Sequence, residues 1–236
     1  MRHLIRLFFI LSILILLFGS KLYSQRIQGA VIGGFNLSQV DGDEIFGFTN
    51  FGLNAGLGAV VPLSKNFSFS IETLYSQKGS TQNKQYSETD SLGNELNGAY
   101  KLNLDYLEVP ILVHYNDRDI LMAGLGFSYG RLVSVKEYEH TRKIETTTLN
   151  GGPYDRNDFS VVADLRFRVL KKFPRFKANI RYTYSIAKIR TRDFYNTRGE
   201  YVSTRDQFNN ILSFRLIYMF NEKPPVADTK NNDSGF

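Results

Sequence analysis

The sequence predicts an all-β fold: an eight-stranded antiparallel transmembrane β-barrel of outer-membrane type, with four long outer loops and short periplasmic turns. Three observations support this prediction. Eight segments alternate apolar and polar side chains with a period of two, their connections are alternately long and short, and an export signal precedes the first segment. Because no later segment has the ~18 consecutive apolar residues of a membrane helix, the mature chain can cross a bilayer only as a closed sheet.

Residues 1–24 have the pattern of a cleaved signal peptide, with a signal-anchor helix as the alternative. Arg2, His3 and Arg6 form a basic start, and an apolar run over residues 7–18 follows. Cleavage removes three basic residues and no acidic one, which lowers the formal charge from +6 to +3. A mildly basic exported chain does not indicate a nucleic-acid partner, and its remaining length is that of one β domain.

Strands one to three alternate without interruption. In strand three, for example, Phe69 and Ile71 oppose Ser70 and Glu72. Small residues dominate the polar face of strands one and two, as the interior of a narrow barrel requires. A soluble, lipocalin-type barrel with the apolar face inside is the structural alternative, but such a face of Gly, Ser, Ala and Asn would make a poor soluble exterior.

Strand four changes phase. Its apolar residues occupy even positions up to Leu104 and Tyr106, and odd positions from Leu107 and Val109 onward. We expect a β-bulge near Tyr106 and Leu107 that restores a single lipid-facing surface.

Strands five to eight alternate again, and from strand six onward the polar face carries charge. These residues are Asp164, Arg166 and Arg168 in strand six, Arg181 in strand seven and Arg215 in strand eight. The last strand ends at an aromatic residue, Phe220, so the predicted domains are a barrel over residues 25–220 and a disordered periplasmic tail over residues 221–236.

Loop lengths and aromatic residues predict the orientation. The long connections cover residues 38–50, 79–99, 132–158 and 187–207, and the short ones cover 62–66, 116–119 and 170–175. Aromatic girdles are expected outside at Phe35, Phe51, Tyr75 and Tyr129, and inside at Phe67, Tyr115, Phe176 and Tyr218. Long outer loops and short inner turns place both termini in the periplasm.

Charged residues near mid-membrane predict a network inside the barrel. Its expected members are Glu72, Glu108, Asp164, Arg166, Arg168, Arg181 and Arg215. We expect Glu72 to reach Arg181 across the lumen, Glu108 to reach Arg215, and Asp164 to lie beside Arg181, because isolated charges there are costly. An ionic plug that sets the barrel shape is the favoured interpretation, with a proton or ion pathway as the alternative.

The sequence gives little support for catalysis or for cofactor binding. The chain contains no cysteine, which excludes thiolate chemistry and cysteine-ligated metals, and it contains no Walker loop, dinucleotide fingerprint or metal-ligand spacing. We expect a structural hydrogen bond at His114 and no orienting partner for His140 in the third outer loop. The sequence therefore predicts a non-enzymatic protein without cofactor or metal.

The fourth outer loop is the candidate partner-contact site. It combines Arg190, Arg192, Phe194, Tyr195, Arg198 and Tyr201. Arg and Tyr are frequent at binding hot spots. The alternative is a solvated loop whose cations meet lipid phosphates at the outer surface.

Three segments carry a family resemblance. GGFNLS (33–38), IETLYSQKG (71–79) and DYLEVPILV (105–113) resemble recurring segments of the PorT-like outer-membrane β-barrel proteins of Bacteroidetes. The resemblance implies an eight-stranded barrel over roughly residues 25–220. The family's namesake is an accessory of the type IX secretion system, but the resemblance here is to the broad family.

These inferences together predict a structural or accessory subunit of an outer-membrane assembly, such as a secretion or uptake complex. Its expected partners are outer-membrane lipid, including lipopolysaccharide, and other outer-membrane or periplasmic proteins. A surface receptor or adhesin that binds through its loops, a lipid-modifying enzyme and a narrow conduit are the alternatives.

Overall fold

A computed structural model describes residues 27–89, 91–117, 120–169, 173, 175–195 and 198–221. The predicted signal peptide and nearly all of the predicted tail lie outside the described residues. Among the residues it does describe, no helix has the length and apolar character needed to cross a membrane.

Eight long strands form one closed antiparallel sheet, which confirms the predicted fold class. They are β1 (Gln28–Asp41), β2 (Asn50–Pro62), β3 (Phe67–Gln82), β4 (Tyr100–Asp117), β5 (Leu121–Glu139), β6 (Asn157–Arg168), β7 (Phe176–Ser185) and β8 (Tyr201–Phe220). Each strand pairs with the next, and β1 pairs back with β8 from Gly29↔Phe220 to Asp41↔Phe208. This last ladder closes the barrel and leaves its wall without a free edge strand.

The exterior of the barrel is apolar, and the middle of its interior carries charged groups. Leu57, Leu125 and Phe127 are 62%, 72% and 66% exposed, whereas Glu72 and Arg215 inside are 2% and 3% exposed. This distribution is the reverse of a soluble barrel, so the lipocalin-type alternative is wrong. Aromatic pairs lie towards both ends of the wall, for example Phe35 with Phe51, Tyr129 with Phe159, and Phe67 with Tyr115.

A register irregularity lies near Tyr106, where the bulge was predicted, but the fourth strand does not carry the extra residue and does not change face. Even-numbered residues of β4 face the lumen along its whole length, so Leu104 and Tyr106 are fully buried while Leu107 is 48% exposed. The register irregularity lies on the neighbouring strand, where Asp105 pairs with Ser134 but Tyr106 pairs with Leu132, and Val133 is the extra residue. The phase of β4 changes in the sequence because its outer end contributes apolar residues to the interior.

The long outer connections contain more strand than predicted. β1, β3 and β5 continue to Asp41, Gln82 and Glu139, inside segments expected to be loops. The fourth connection is a two-stranded ribbon: the strand Arg190–Tyr195 pairs with residues 201–207 at the outer end of β8. We call residues 190–207 the outer ribbon.

The junction between β2 and β3 is incomplete at its outer end. Their ladder stops at Asn54↔Ser76, although β2 continues to pair with β1 and β3 with β4. Beyond that point side chains link the two strands: the Leu53 amide donates to Gln77 Oε1 at 3.0 Å, and Thr81 Oγ1 donates to Asn50 Oδ1 at 2.9 Å.

Candidate functional site

Five charged side chains from four strands meet in the centre of the lumen. They are Glu72 on β3, Asp164 and Arg166 on β6, Arg181 on β7 and Arg215 on β8, and we call them the arginine cluster. Glu72 accepts from Arg166 at 2.7 Å, from Arg181 at 2.9 Å and from Arg215 at 3.2 Å. One carboxylate on β3 therefore binds three strands on the other side of the barrel.

The second carboxylate of the arginine cluster has the same three partners. Asp164 contacts Arg181 at 2.7 Å, Arg166 at 2.8 Å and Arg215 at 3.1 Å. The Nε of Arg215 donates to Asn179 Oδ1 at 2.6 Å. Three guanidinium groups thus share two carboxylates, and the cluster has one excess positive charge.

A second group of charges lies beside the arginine cluster, and we call it the lysine cluster. Lys78 Nζ is 2.6 Å from Glu108 and 2.9 Å from Asp158, and it stands 4.8 Å from the centroid of the Tyr106 ring. Asp158 also accepts from Asn209 Nδ2 at 2.9 Å. This cluster has one excess negative charge, so the two clusters together are balanced.

The structure brings Arg181 together with both Glu72 and Asp164, but the predicted contact of Glu108 with Arg215 is wrong. Glu108 binds Lys78, and Arg215 binds Glu72 and Asp164. Lys78 lies on the strand next to that of Glu108, so its long side chain reaches the carboxylate without crossing the lumen.

One predicted member of the network stands apart, and sequence reasoning missed two others. Within the described part of the chain, Arg168 makes no ion pair and its Nε has no hydrogen-bond partner. The two residues missed are Lys78 and Asp158. Each follows the alternation of inward-facing residues on its strand: Lys78 is two residues from the buried Ser76, and Asp158 is two residues from the buried Ser160. Asp158 was assigned to a loop because β6 begins two residues before its apolar pattern, which starts at Phe159.

Apolar side chains fill the lumen at both ends. One apolar cluster contains Ala30, Ile32, Val60, Leu74, Ile217 and Met219, and the other, towards the outer loops, contains Val40, Leu102, Leu104, Tyr106, Leu132, Val135, Tyr154 and Ile189. Between the charged clusters lies a cavity of about 10 Å³, lined in part by Lys78, Ser128 and Arg181. That volume holds about one water molecule, so this cavity is too small to serve as an open channel.

His114 makes the structural hydrogen bond that its position suggested. Its Nε2 lies 2.8 Å from Ser70 Oγ, and its Nδ1 lies 3.8 Å from Asp164. Gly124 provides the space for the ring, because a Cβ at that position would lie 2.3 Å from Nδ1. Ser70 and His114 have no exposed surface, so this serine and histidine are closed to any substrate.

His140 has orienting partners, contrary to expectation. Its Nδ1 accepts from the backbone amides of Asn97 and Gly98, both at 3.1 Å. Its own amide donates to the carbonyl of Ala99. The residue therefore fastens the third outer connection to the second, which is a structural role.

Arg190 anchors the outer ribbon and is not an exposed contact residue. Its Nη1 donates to Glu137 at 2.9 Å and to the Tyr154 hydroxyl, while Tyr100 donates to the same carboxylate at 2.7 Å. Burial raises the pKa of Glu137, but hydrogen bonds from Thr147, Arg190 and Tyr100 outweigh it and hold that pKa below its usual range. Glu137 lies well beyond the aromatic residue Tyr129 on β5, outside the membrane-spanning part.

The remaining candidate residues lie along the ribbon and at its tip. Tyr195 and Tyr201 are 62% and 60% exposed and meet edge to face, with ring centroids 6.2 Å apart. Arg198 lies in the turn between the two strands. Arg192 stacks against the Phe194 ring at 5.6 Å from its centroid. The ribbon therefore presents aromatic and cationic groups together.

We expect Glu72→Gln to destabilise the barrel more than Arg181→Met. The first change leaves three guanidinium groups with one carboxylate, at a cost of about 3–5 kcal/mol in unfolding free energy. The second leaves two guanidinium groups with two carboxylates. Urea unfolding from lipid vesicles measures both, and Glu145→Gln, which breaks an exposed pair with Lys143, serves as control. The double variant Glu72→Gln/Arg181→Met should lose less unfolding free energy than the sum of the losses in the two single variants. Strictly additive losses would contradict a cluster in which these groups share partners.

Glu137→Gln should cost about 1–3 kcal/mol at neutral pH, because it leaves Arg190 without its carboxylate. A carboxyl whose pKa is lower in the folded than in the unfolded protein stabilises the folded state at pH values above its unfolded pKa, near 4.3. This stabilisation disappears as the pH falls through the folded-state pKa. The difference between wild type and variant should therefore be constant near pH 7 and narrow below about pH 4. Unfolding at pH 7 and pH 3 measures it, with the exposed Glu139→Gln as control. A difference independent of pH would be inconsistent with an ionised Glu137.

The sequence matches a known protein family, and the fold resembles several solved structures. The family model of the outer membrane protein beta-barrel domain matches residues 23–190. Among solved structures, Ail of Yersinia pestis is 14% identical with a TM-score of 0.46, covering 83% of this chain and 99% of that chain. OprG of Pseudomonas aeruginosa is 10% identical with a TM-score of 0.42, covering 84% and 98%. Neisserial surface protein A is 10% identical with a TM-score of 0.40, covering 81% and 94%.

No curated protein matches the sequence. The family match alone spans well over half of the chain, and its extent runs from before β1 to the start of the outer ribbon. The chain belongs to the outer membrane protein beta-barrel domain family.

Proposed function

We propose that this outer-membrane barrel is a non-enzymatic accessory subunit of a larger outer-membrane assembly, such as a secretion or uptake complex. The observation that carries the proposal is the filled lumen: ion pairs occupy its centre and apolar clusters occupy both ends. A barrel without an interior passage acts through its surfaces. Membership of the PorT-like group is a finer part of the same proposal, supported by the three sequence segments, and type IX secretion is one assembly of the kind proposed.

The outer ribbon is the surface that fits this role best. It carries exposed Tyr195, Tyr201 and Val202, and its base is fixed by the contact of Arg190 with Glu137. A rigid base reduces the ordering cost of binding, and Tyr and Arg are favoured in interface centres. The same features support a second candidate function, a surface receptor or adhesin whose ligand lies outside the cell.

The proposal includes a cleaved signal peptide over residues 1–24. It also places both termini in the periplasm, and the alternation of long and short connections supports this orientation. Because the chain has no cysteine, single cysteines can test this orientation. An impermeant thiol reagent should label a cysteine at Asn83 on intact cells, and a cysteine at Asn66 only after the outer membrane is permeabilised. The reverse pattern would place the long connections in the periplasm.

Replacing residues 191–204 with a short Gly/Ser linker should leave folding intact, because the length of a surface loop affects stability weakly. The same change should abolish capture of any partner held from outside. Pull-downs in mild detergent should compare wild type, this variant, a matched replacement of residues 88–96 and a chain truncated after Phe220. Loss of one partner set in the ribbon variant alone supports the proposal.

Two other outcomes count against it. Equal recovery by all four proteins would remove the ribbon and the tail from the interface and leave only the lipid-facing wall. Recovery of no partner by wild type would overturn the accessory role and favour a solitary barrel.

A further inference from the structure

Two arginines oppose each other directly in the outer ribbon. Arg192 and Arg205 are register partners, and their guanidinium carbons lie 5.6 and 5.0 Å from the centroid of the same Phe194 ring. Like charges directly opposite on paired strands destabilise a sheet. The ring offsets part of this repulsion through cation–π attraction, but the face keeps two positive charges close together.

Two acidic residues of the ribbon strands, Asp193 and Asp206, bind other groups and point away from this face. Asp193 accepts from Thr204 at 2.5 Å, and Asp206 accepts from Thr191 at 2.6 Å and from Lys188 at 3.2 Å. These acids alternate with Arg192 and Arg205 along the strands and therefore point to the opposite face.

Neither arginine has an ion-pair partner within the described ranges. Each guanidinium stacks on the Phe194 ring. Burial raises the pKa of the nearby Asp43 above its usual value, and the hydrogen bonds from the Ile45 amide and Ser80 offset this more than the charge of Arg192 does. The two guanidinium groups thus keep donors that a ligand can use.

A cleft lies between the ribbon and the third outer connection. It has a volume of about 540 Å³, and its lining includes Arg192, Thr146 and the backbone of Gly151 and Gly152. Arg190 also lines it, but that side chain is bound to Glu137. Guanidinium and hydroxyl donors beside an open cleft match the oxygens of a phosphate or sulfate group, which arginine binds bidentately.

The pair lies beyond the closed wall of the barrel. Arg205 lies three residues beyond Phe208, where the β1–β8 ladder ends, which is about 10 Å at 3.3 Å per residue. Charged sugars are anionic ligands available to such a surface of an outer-membrane barrel, whether as headgroups of outer-leaflet glycolipid or as chains that reach the cell from outside.

We propose that Arg192 and Arg205, supported by the Phe194 ring, bind phosphate or sulfate groups of an acidic saccharide. The inference rests on the proposed function only in taking the outer ribbon as a contact surface. It names the chemistry of that contact.

Binding of fluorescent dextran sulfate to the purified barrel in phospholipid nanodiscs tests the site, with uncharged dextran as blank. Arg192→Gln/Arg205→Gln should bind about tenfold or more weakly, since each change removes a charge-assisted hydrogen bond. The control is Lys101→Gln/Lys136→Gln, which removes two exposed cations from β4 and β5 and should bind like wild type. Arg192→Lys/Arg205→Lys keeps the charge, removes the guanidinium fork and should lie between the two.

Equal losses in the glutamine variant and the control would show general electrostatic attraction and overturn the site, as would wild-type binding by the glutamine variant. A folded-barrel shift on unboiled gels confirms that each variant is intact. Adding lipopolysaccharide to the nanodiscs separates the two sources of ligand. Loss of wild-type dextran sulfate binding assigns the site to the membrane's own glycolipid, and unchanged binding assigns it to an external saccharide.

Failure of this site and failure of the accessory role are distinguishable in the pull-down. If the glutamine variant loses dextran sulfate but keeps the protein partners of wild type, saccharide and protein contacts are separate. If it binds dextran sulfate like wild type while the linker replacement still loses its partners, the accessory role stands and the saccharide site falls.

Discussion

The need to pair the charges buried in the middle of a narrow, filled barrel governs this structure. Eight strands enclose too little space for water to solvate ionised groups, so each must find protein partners. The arginine cluster meets the requirement by sharing: Glu72 and Asp164 each contact all three guanidinium groups, and these contacts join β3 to β6, β7 and β8. The excess charge of this cluster is compensated by the neighbouring lysine cluster, so neither is complete without the other.

The strands and the existence of the charge network could be predicted from the sequence, because the pleat of a strand directs alternate residues to opposite faces. That single rule placed Glu72, Asp164, Arg181 and Arg215 inside and predicted the contacts of Arg181. The fourth strand shows the limit of the rule. Leu102 and Leu104 are apolar yet face the lumen, because the interior at the outer end is itself apolar.

The partners of individual charges and the shape of the outer connections required the structure. Glu108 was expected to cross the lumen, but Lys78 on the adjacent strand is nearer. Arg190 was grouped with exposed residues, although its guanidinium turns inward to Glu137. In both cases the sequence shows which face of the strand a side chain occupies. Which of several possible partners it binds depends on the length of the side chain and on the positions of the neighbouring strands in the folded barrel.

The incomplete ladder between β2 and β3 has a mechanical consequence. Below Asn54↔Ser76 the wall is held by backbone hydrogen bonds in register, while above it the two strands are joined through side chains such as Gln77 and Thr81. Protein stability varies along a structure, and regions with fewer backbone hydrogen bonds open first. Under a force that pulls on the long connections, this seam is where the barrel wall would begin to open, while the β1–β8 closure, paired along the full length of β1, would yield later.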